Sequence, residues 1–152
     1  MKRMDIARSA AILALTAVFF ASGCASTSVA RGVTGGDRLG LCPIKPNCVS
    51  TQNKDGEHAI APLRYSGDKA AAKEKLLSVL TARSNTKIIE NNDDYLRVEF
   101  TTSIMRFVDD GEFLVRDGQI ELRSASRVGY SDLGTNRARM EEIRAAFETC
   151  CK

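Results

Sequence analysis

The first apolar block in the chain has no period: Ala10 to Ala21 runs without a charge behind a short basic stretch carrying Lys2, Arg3 and Arg8. A helix crossing about 30 Å of hydrocarbon takes roughly 20 apolar residues, so this run is too short to span and predicts a signal peptide. Residues 25 to 40 are small, polar and glycine-rich with no apolar period, and predict a flexible tether of about 20 Å mean reach. Cys42 to Tyr65 reads as an irregular wrap pinned by Pro43, Pro46 and Pro62. A helical period then begins at Asp68, a good cap, with Ala72, Leu76, Val79 and Leu80 on one stripe of a helix ending near Arg83.

Beyond that helix the period switches to two. Thr86 to Glu90 and Tyr95 to Thr102 flank the turn signal Asn91-Asn92-Asp93-Asp94, with Ile89, Leu96, Val98 and Phe100 expected on one face. Arg106 to Arg116 and Gln119 to Arg127 flank Asp117-Gly118, which suits a two-residue type I′ turn. That loop sets Val115 opposite Ile120, Phe113 opposite Leu122, Gly111 opposite Ser124 and Asp109 opposite Ser126, with Glu112 and Arg123 paired on the other side. Met140, Ile143, Phe147 and Cys150 recur at three or four on a last helix from about Asn136. The expected fold is a two-layer α+β domain over residues 41–152: a helix, a four-stranded antiparallel sheet of two hairpins, and a C-terminal helix.

The end of the apolar run, Phe20-Ala21-Ser22-Gly23-Cys24, resembles the lipobox of bacterial lipoproteins. That resemblance implies cleavage of residues 1–23 and lipid on Cys24, with two or more acyl chains giving stable membrane anchoring. Ala25 is not the aspartate that, by the same resemblance, retains lipoproteins at an inner membrane. The expected location is therefore the cell envelope, on the periplasmic side of an outer membrane where the source has two.

Charge changes little once the leader is removed. The whole chain has 22 basic and 19 acidic residues, and loss of Lys2, Arg3, Arg8 and Asp5 leaves 19 and 18. So near-neutral a domain gives no reason to expect nucleic acid or an anionic membrane face as a partner. Behind Cys24 stand Cys42, Cys48, Cys150 and Cys151, an even number that suits an oxidising compartment and permits three pairings. The tight Pro43-Ile44-Lys45-Pro46-Asn47 segment favours a Cys42–Cys48 bridge. With one histidine and no CxxC pair, neither a zinc site nor any other metal or cofactor is called for.

Three segments stand together: Cys42-Pro43-Ile44-Lys45-Pro46-Asn47-Cys48-Val49-Ser50, then Arg106-Phe107-Val108-Asp109-Asp110-Gly111-Glu112-Phe113, then Arg123 to Arg137 with its Arg-Val-Gly-Tyr-Ser-Asp-Leu-Gly core. In kind, order and spacing they resemble the hallmarks of domain-of-unknown-function family 1499, from about Leu41 to Phe147. The resemblance implies a single domain, often exported or lipid-anchored, and supplies no reaction.

Chemistry concentrates at the far end of the second hairpin and the loop leaving it. Arg106, Asp109, Asp110, Glu112, Arg123, Ser126, Arg127, Tyr130, Asp132, Asn136 and Arg137 converge there if the loop from Val128 folds back over the sheet. As a site, the arginine forks and the amide donors opening the last helix suit a small anionic ligand or a lipid head group. As scaffold, the same residues form an ion-pair network that stitches the loop down. A cation site on Asp109, Asp110, Glu112 and Asp132 is opposed by the neighbouring arginines. His58 with Ser50 or Cys48 is a poor imitation of a catalytic pair, a lone loop histidine being expected in solvent and Cys48 oxidised. The expected function is a membrane-tethered, non-catalytic binding or accessory module, for that ligand or an envelope protein. The alternatives are an interaction protein working through an exposed apolar patch, and a hydrolase or metal-dependent enzyme.

Overall fold

The computed structural model describes residues 32–34 and 37–150. The expected signal peptide, the expected lipidation site Cys24 and Cys151 lie outside them. Two residue pairs, β1 (Val33–Thr34) and β2 (Arg38–Leu39), form a small antiparallel ribbon. The domain then runs β3 (Cys48–Ser50), β4 (Leu63–Arg64), α1 (Lys69–Thr81), β5 (Thr86–Asn91), β6 (Tyr95–Thr101), β7 (Val108–Arg116), β8 (Gln119–Ser126) and α2 (Thr135–Thr149). It is an α+β domain with both helices against one face of an antiparallel sheet, ordered β3-β8-β7-β6-β5, with β4 also on β8.

The sheet has six strands where four were expected. The extra two come from the proline-pinned wrap: β3 pairs with Arg123–Ala125 and β4 with Gln119–Ile120, so they share one edge of β8 end to end. Pieces of three and two residues are too short to carry a period of two, which is why they read as irregular. The folded part of the chain also begins earlier than composition suggested. Leu39 is buried against Tyr95 and Leu114 on the sheet face away from the helices, so the folded domain begins before Leu41.

The period-two arithmetic holds for β7 and β8, where Val115 faces Ile120, Phe113 Leu122, Gly111 Ser124 and Asp109 Ser126. In β5 it slips. Ile88 pairs with Val98 but Glu90 with Arg97, leaving Ile89 at a bulge. One extra residue moves every side chain before it to the other face. Ile88, not Ile89, therefore packs on the core.

The helices are where their stripes put them. Asp68 accepts from the Ala71 amide (2.9 Å), and Ala72, Leu76, Val79 and Leu80 are buried. Met140, Ile143 and Phe147 of α2 join Leu96, Val98, Phe100, Phe113, Val115, Ile120 and Leu122 in one core. Each such side chain contributes about 1.5–3 kcal/mol when fully buried. Gly111 is required inside it: a Cβ there would lie 2.3 Å from Phe100 Cε2 and 2.9 Å from Val98 Cγ2.

Candidate functional site

The polar residues picked out by sequence do gather at one end of β7 and β8, but on opposite faces of the sheet. Alternation decides this, because successive strand residues point to opposite sides. Asp109 and Ser126 look toward α2, whereas Asp110, Glu112 and Arg123 look away from it. Closure of the loop from Val128 does not bring the two groups together, so the single neighbourhood expected from the sequence is two networks.

On the outer face Arg123 and Glu112, both without solvent exposure, form an ion pair of 2.8 Å. Glu112 also accepts from the Tyr95 hydroxyl (2.7 Å) and from the Gly32 amide under β1. Burial, then the Glu112 carboxylate, push the Tyr95 phenol far above its ordinary range, so it stays a donor. Two residues along β7, Arg127 holds Asp110 with two hydrogen bonds of 2.9 and 2.7 Å and reaches Glu99 as well. The bond to Asp110 leads in raising its pKa above the ordinary arginine value.

On the helix face Asn136 is the hub and is fully buried. Its amide nitrogen donates to Ser126 Oγ, Asp132 Oδ2 and the Asn47 carbonyl, and its oxygen accepts from Ser124 and Arg139. Arg139 continues to Asp109 at 2.6 Å and lies over the Phe100 ring at 4.7 Å. The opening of α2 does not offer free amides to an anion as expected: Asp132 already accepts from the Gly134 and Asn136 amides, at 3.0 and 2.9 Å. Arg137 turns to the carbonyls of Glu57 and Ala59 and fastens that loop to the helix. The four candidate carboxylates thus point to different partners on two faces, and no group suited to a metal ion occurs among the described residues.

His58 departs from expectation in the other direction. It is buried, not solvated, with Nδ1 2.6 Å from Asp55 and Nε2 3.2 Å from the Lys45 carbonyl. Burial lowers its pKa, but the hydrogen bonds to Asp55 and Lys45 outweigh it and the net shift is upward. The Asp55 carboxyl, bonded to Asn53 and His58, falls to about 2. With both ring nitrogens engaged and Cys48 bridged to Cys42, neither Cys48 nor Ser50 has a histidine base. His58 clamps the disulfide loop instead.

Arg106 and Tyr130 are the expected site residues that stay outside. Both are exposed, in the loops 102–107 and 127–134, and they are surrounded by apolar side chains that periodicity did not account for. Of eight exposed large hydrophobics among the described residues, seven lie in three loops at this end of the sheet: Ile44; Ile104, Met105 and Phe107; Val128, Tyr130 and Leu133. Ile44 is 96 % exposed, Leu133 94 % and Ile104 90 %. The two non-glycine residues with positive φ among those described, Arg106 (56°) and Leu133 (53°), are also here. A leucine in a left-handed conformation with its side chain in water is unfavourable on both counts. Phe107, Val128 and Gly129 line a cavity of about 290 Å³ between two of the loops. Asn47 joins the third by donating to the Gly129 carbonyl. At the opposite end a wider groove of about 680 Å³ runs between α1 and α2 past Tyr65, Lys75 and Phe147.

The family model described as "Protein of unknown function (DUF1499)" matches residues 38–147. The chain belongs to the DUF1499 family. No curated protein and no solved structure matches it. The match to the DUF1499 model starts at Arg38, in agreement with the burial of Leu39, and spans the disulfide loop, both polar networks and all three apolar loops. Sequence reading missed Arg139 and the loop tips of this DUF1499 domain. Arg139 had a signal, since it sits three residues after Asn136 on the buried stripe; the tips had one in apolar residues that fit no period.

Proposed function

We propose that this DUF1499 domain is a non-catalytic interaction module of the cell envelope, held to a membrane by lipid on Cys24, whose working surface is the apolar loop end. The observation that carries this is the division between the two kinds of residue. Of the candidate arginines, Arg123, Arg127 and Arg137 are engaged with carboxylates or backbone carbonyls, while Arg106 stands exposed among the large apolar side chains that collect at one end. Large apolar side chains left exposed and gathered at one end of a domain mark contact sites. The occupied ring nitrogens of His58 and the bridged Cys48 support the non-catalytic part of the reading. The lipobox at residues 20–24 supports the envelope part.

Oxidative footprinting tests it, because Met105 and Tyr130 are built-in probes at the loop end and Tyr65 is one at the other. In isolated envelopes Met105 and Tyr130 are expected to label less than in the detergent-released chain, with Tyr65 unchanged. Equal labelling of Met105 and Tyr130 in both preparations would refute the reading.

A further inference from the structure

We infer that the partner of this end is the lipid bilayer itself: the three loop tips dip into the interface of an anionic membrane. This rests on the reading of the loop end as a contact surface and names its occupant. Charge at the loop tips favours a membrane. Two of the three tips pair their apolar residues with an exposed cation next in sequence: Ile44 with Lys45, and Met105 and Phe107 with Arg106 between them, while Arg127 beside Val128 is held by Asp110 and Glu99. The one carboxylate in the three loops, Asp132, is turned inward onto the amides of α2. Apolar tips that enter the acyl boundary beside cations that stay with phosphate match the composition of interfacial anchors. Tyr130, 71 % exposed, is of the amphipathic type that settles at head-group level.

The length of chain between Cys24 and the domain favours it as well. Seven residues lie between Cys24 and Gly32, eight chain steps that at full extension reach about 28 Å. Gly32 sits against Glu112, in the middle of β7, four residues of strand from the loop end at Val108, or about 13 Å. An acyl chain on Cys24 and the three tips therefore reach one plane together. Shape favours a membrane too. The apolar residues stand on three separate projections, which suits insertion into a deformable surface better than burial against a flat protein face.

The chain has no tryptophan, so a single introduced one reports alone. Ile104→Trp and Leu133→Trp, at positions 90 % and 94 % exposed, are made in the full acylated chain. Asp93→Trp, in the turn at the other end, is the control. Each is placed in protein-free vesicles of phosphatidylethanolamine and phosphatidylglycerol carrying brominated acyl chains, its fold checked by circular dichroism and by intact disulfide mass. Tryptophan at 104 and 133 is expected to shift to the blue and be quenched, that at 93 to do neither. Replacing phosphatidylglycerol by phosphatidylcholine is expected to weaken the quenching, by roughly fivefold in the inserted fraction per tip cation.

Folded variants whose tryptophans at 104 and 133 stay unquenched, or are quenched no more than at 93, would overturn the proposal. If Met105 and Tyr130 are nevertheless shielded in native envelopes, the contact surface stands and its occupant is a protein. If they are unshielded there too, both readings fall.

Discussion

The buried pair Glu112–Arg123 gives the sharpest test of whether the charged residues are scaffold. Glu112→Ala leaves Arg123, fully enclosed, without its carboxylate, and Arg123 Nε and Nη2 already lack a hydrogen-bond partner among the described residues. Breaking a buried pair from one side costs about 3–5 kcal/mol, because the remaining charge is uncompensated. At roughly 4 °C per kcal/mol for a domain of this size, the melting temperature should fall by roughly 12–20 °C. Urea unfolding of Glu112→Ala, together with the cycle of Glu112→Leu, Arg123→Met and their double variant, reads the coupling directly. The double variant should recover most of the loss, leaving about 1–2 kcal/mol for the Tyr95 hydroxyl that has lost its acceptor. A cost under about 1 kcal/mol for Glu112→Ala would refute this account of the pair. So would a double variant no more stable than the single one.

Three further outcomes follow from the same structure. Gly111→Ala should cost about 2–3 kcal/mol in denaturant, because its methyl group meets the fixed Phe100 ring inside the core; a neutral effect would mean that the ring has room to move. Reduction of the Cys42–Cys48 bridge should cost about 2 kcal/mol, the loop-closure entropy of so short a ring, measured as the shift in urea midpoint with and without reductant. The His58 clamp gives a pH dependence of definite sign. Its folded pKa lies above the ordinary 6.5, so its contribution is complete below 6.5 and is lost as pH rises through the folded value. Asp55, lowered from 3.8 to about 2, contributes above 3.8 and loses its contribution as pH falls toward 2. Stability of the wild type should thus decline on the alkaline side of 6.5, and His58→Asn should flatten that decline.

Much of the fold was legible because long elements declare their period. Helix α1, helix α2 and the β7–β8 hairpin bury the residues that their stripes assign, and Asp117-Gly118 sets the register. What stayed hidden was short or irregular. Strands β3 and β4 have too few residues to alternate, and the bulge at Ile89 shifts one face of β5 without any mark in composition. The candidate site was half legible. Sequence located the charged cluster at the right end of the sheet, but face alternation separates Asp109 from Asp110 and the partners Arg139 and Glu99 come from other elements. Whether an arginine is free for a ligand depends on those partners, and no local pattern reveals it. The apolar tips were visible as residues and went unread because they belong to no stripe.

Hydrogen exchange of the unmodified chain, purified and then returned to its own envelope, tests the division of labour most directly. The account predicts slow exchange of β7, β8 and the first turn of α2 in both states, and slowing of residues 102–107 and 128–133 only in the envelope. Slowing confined to the strands and helix that carry the Arg and Asp residues, with the loop tips unchanged, would contradict it and place the contact in the charged cluster.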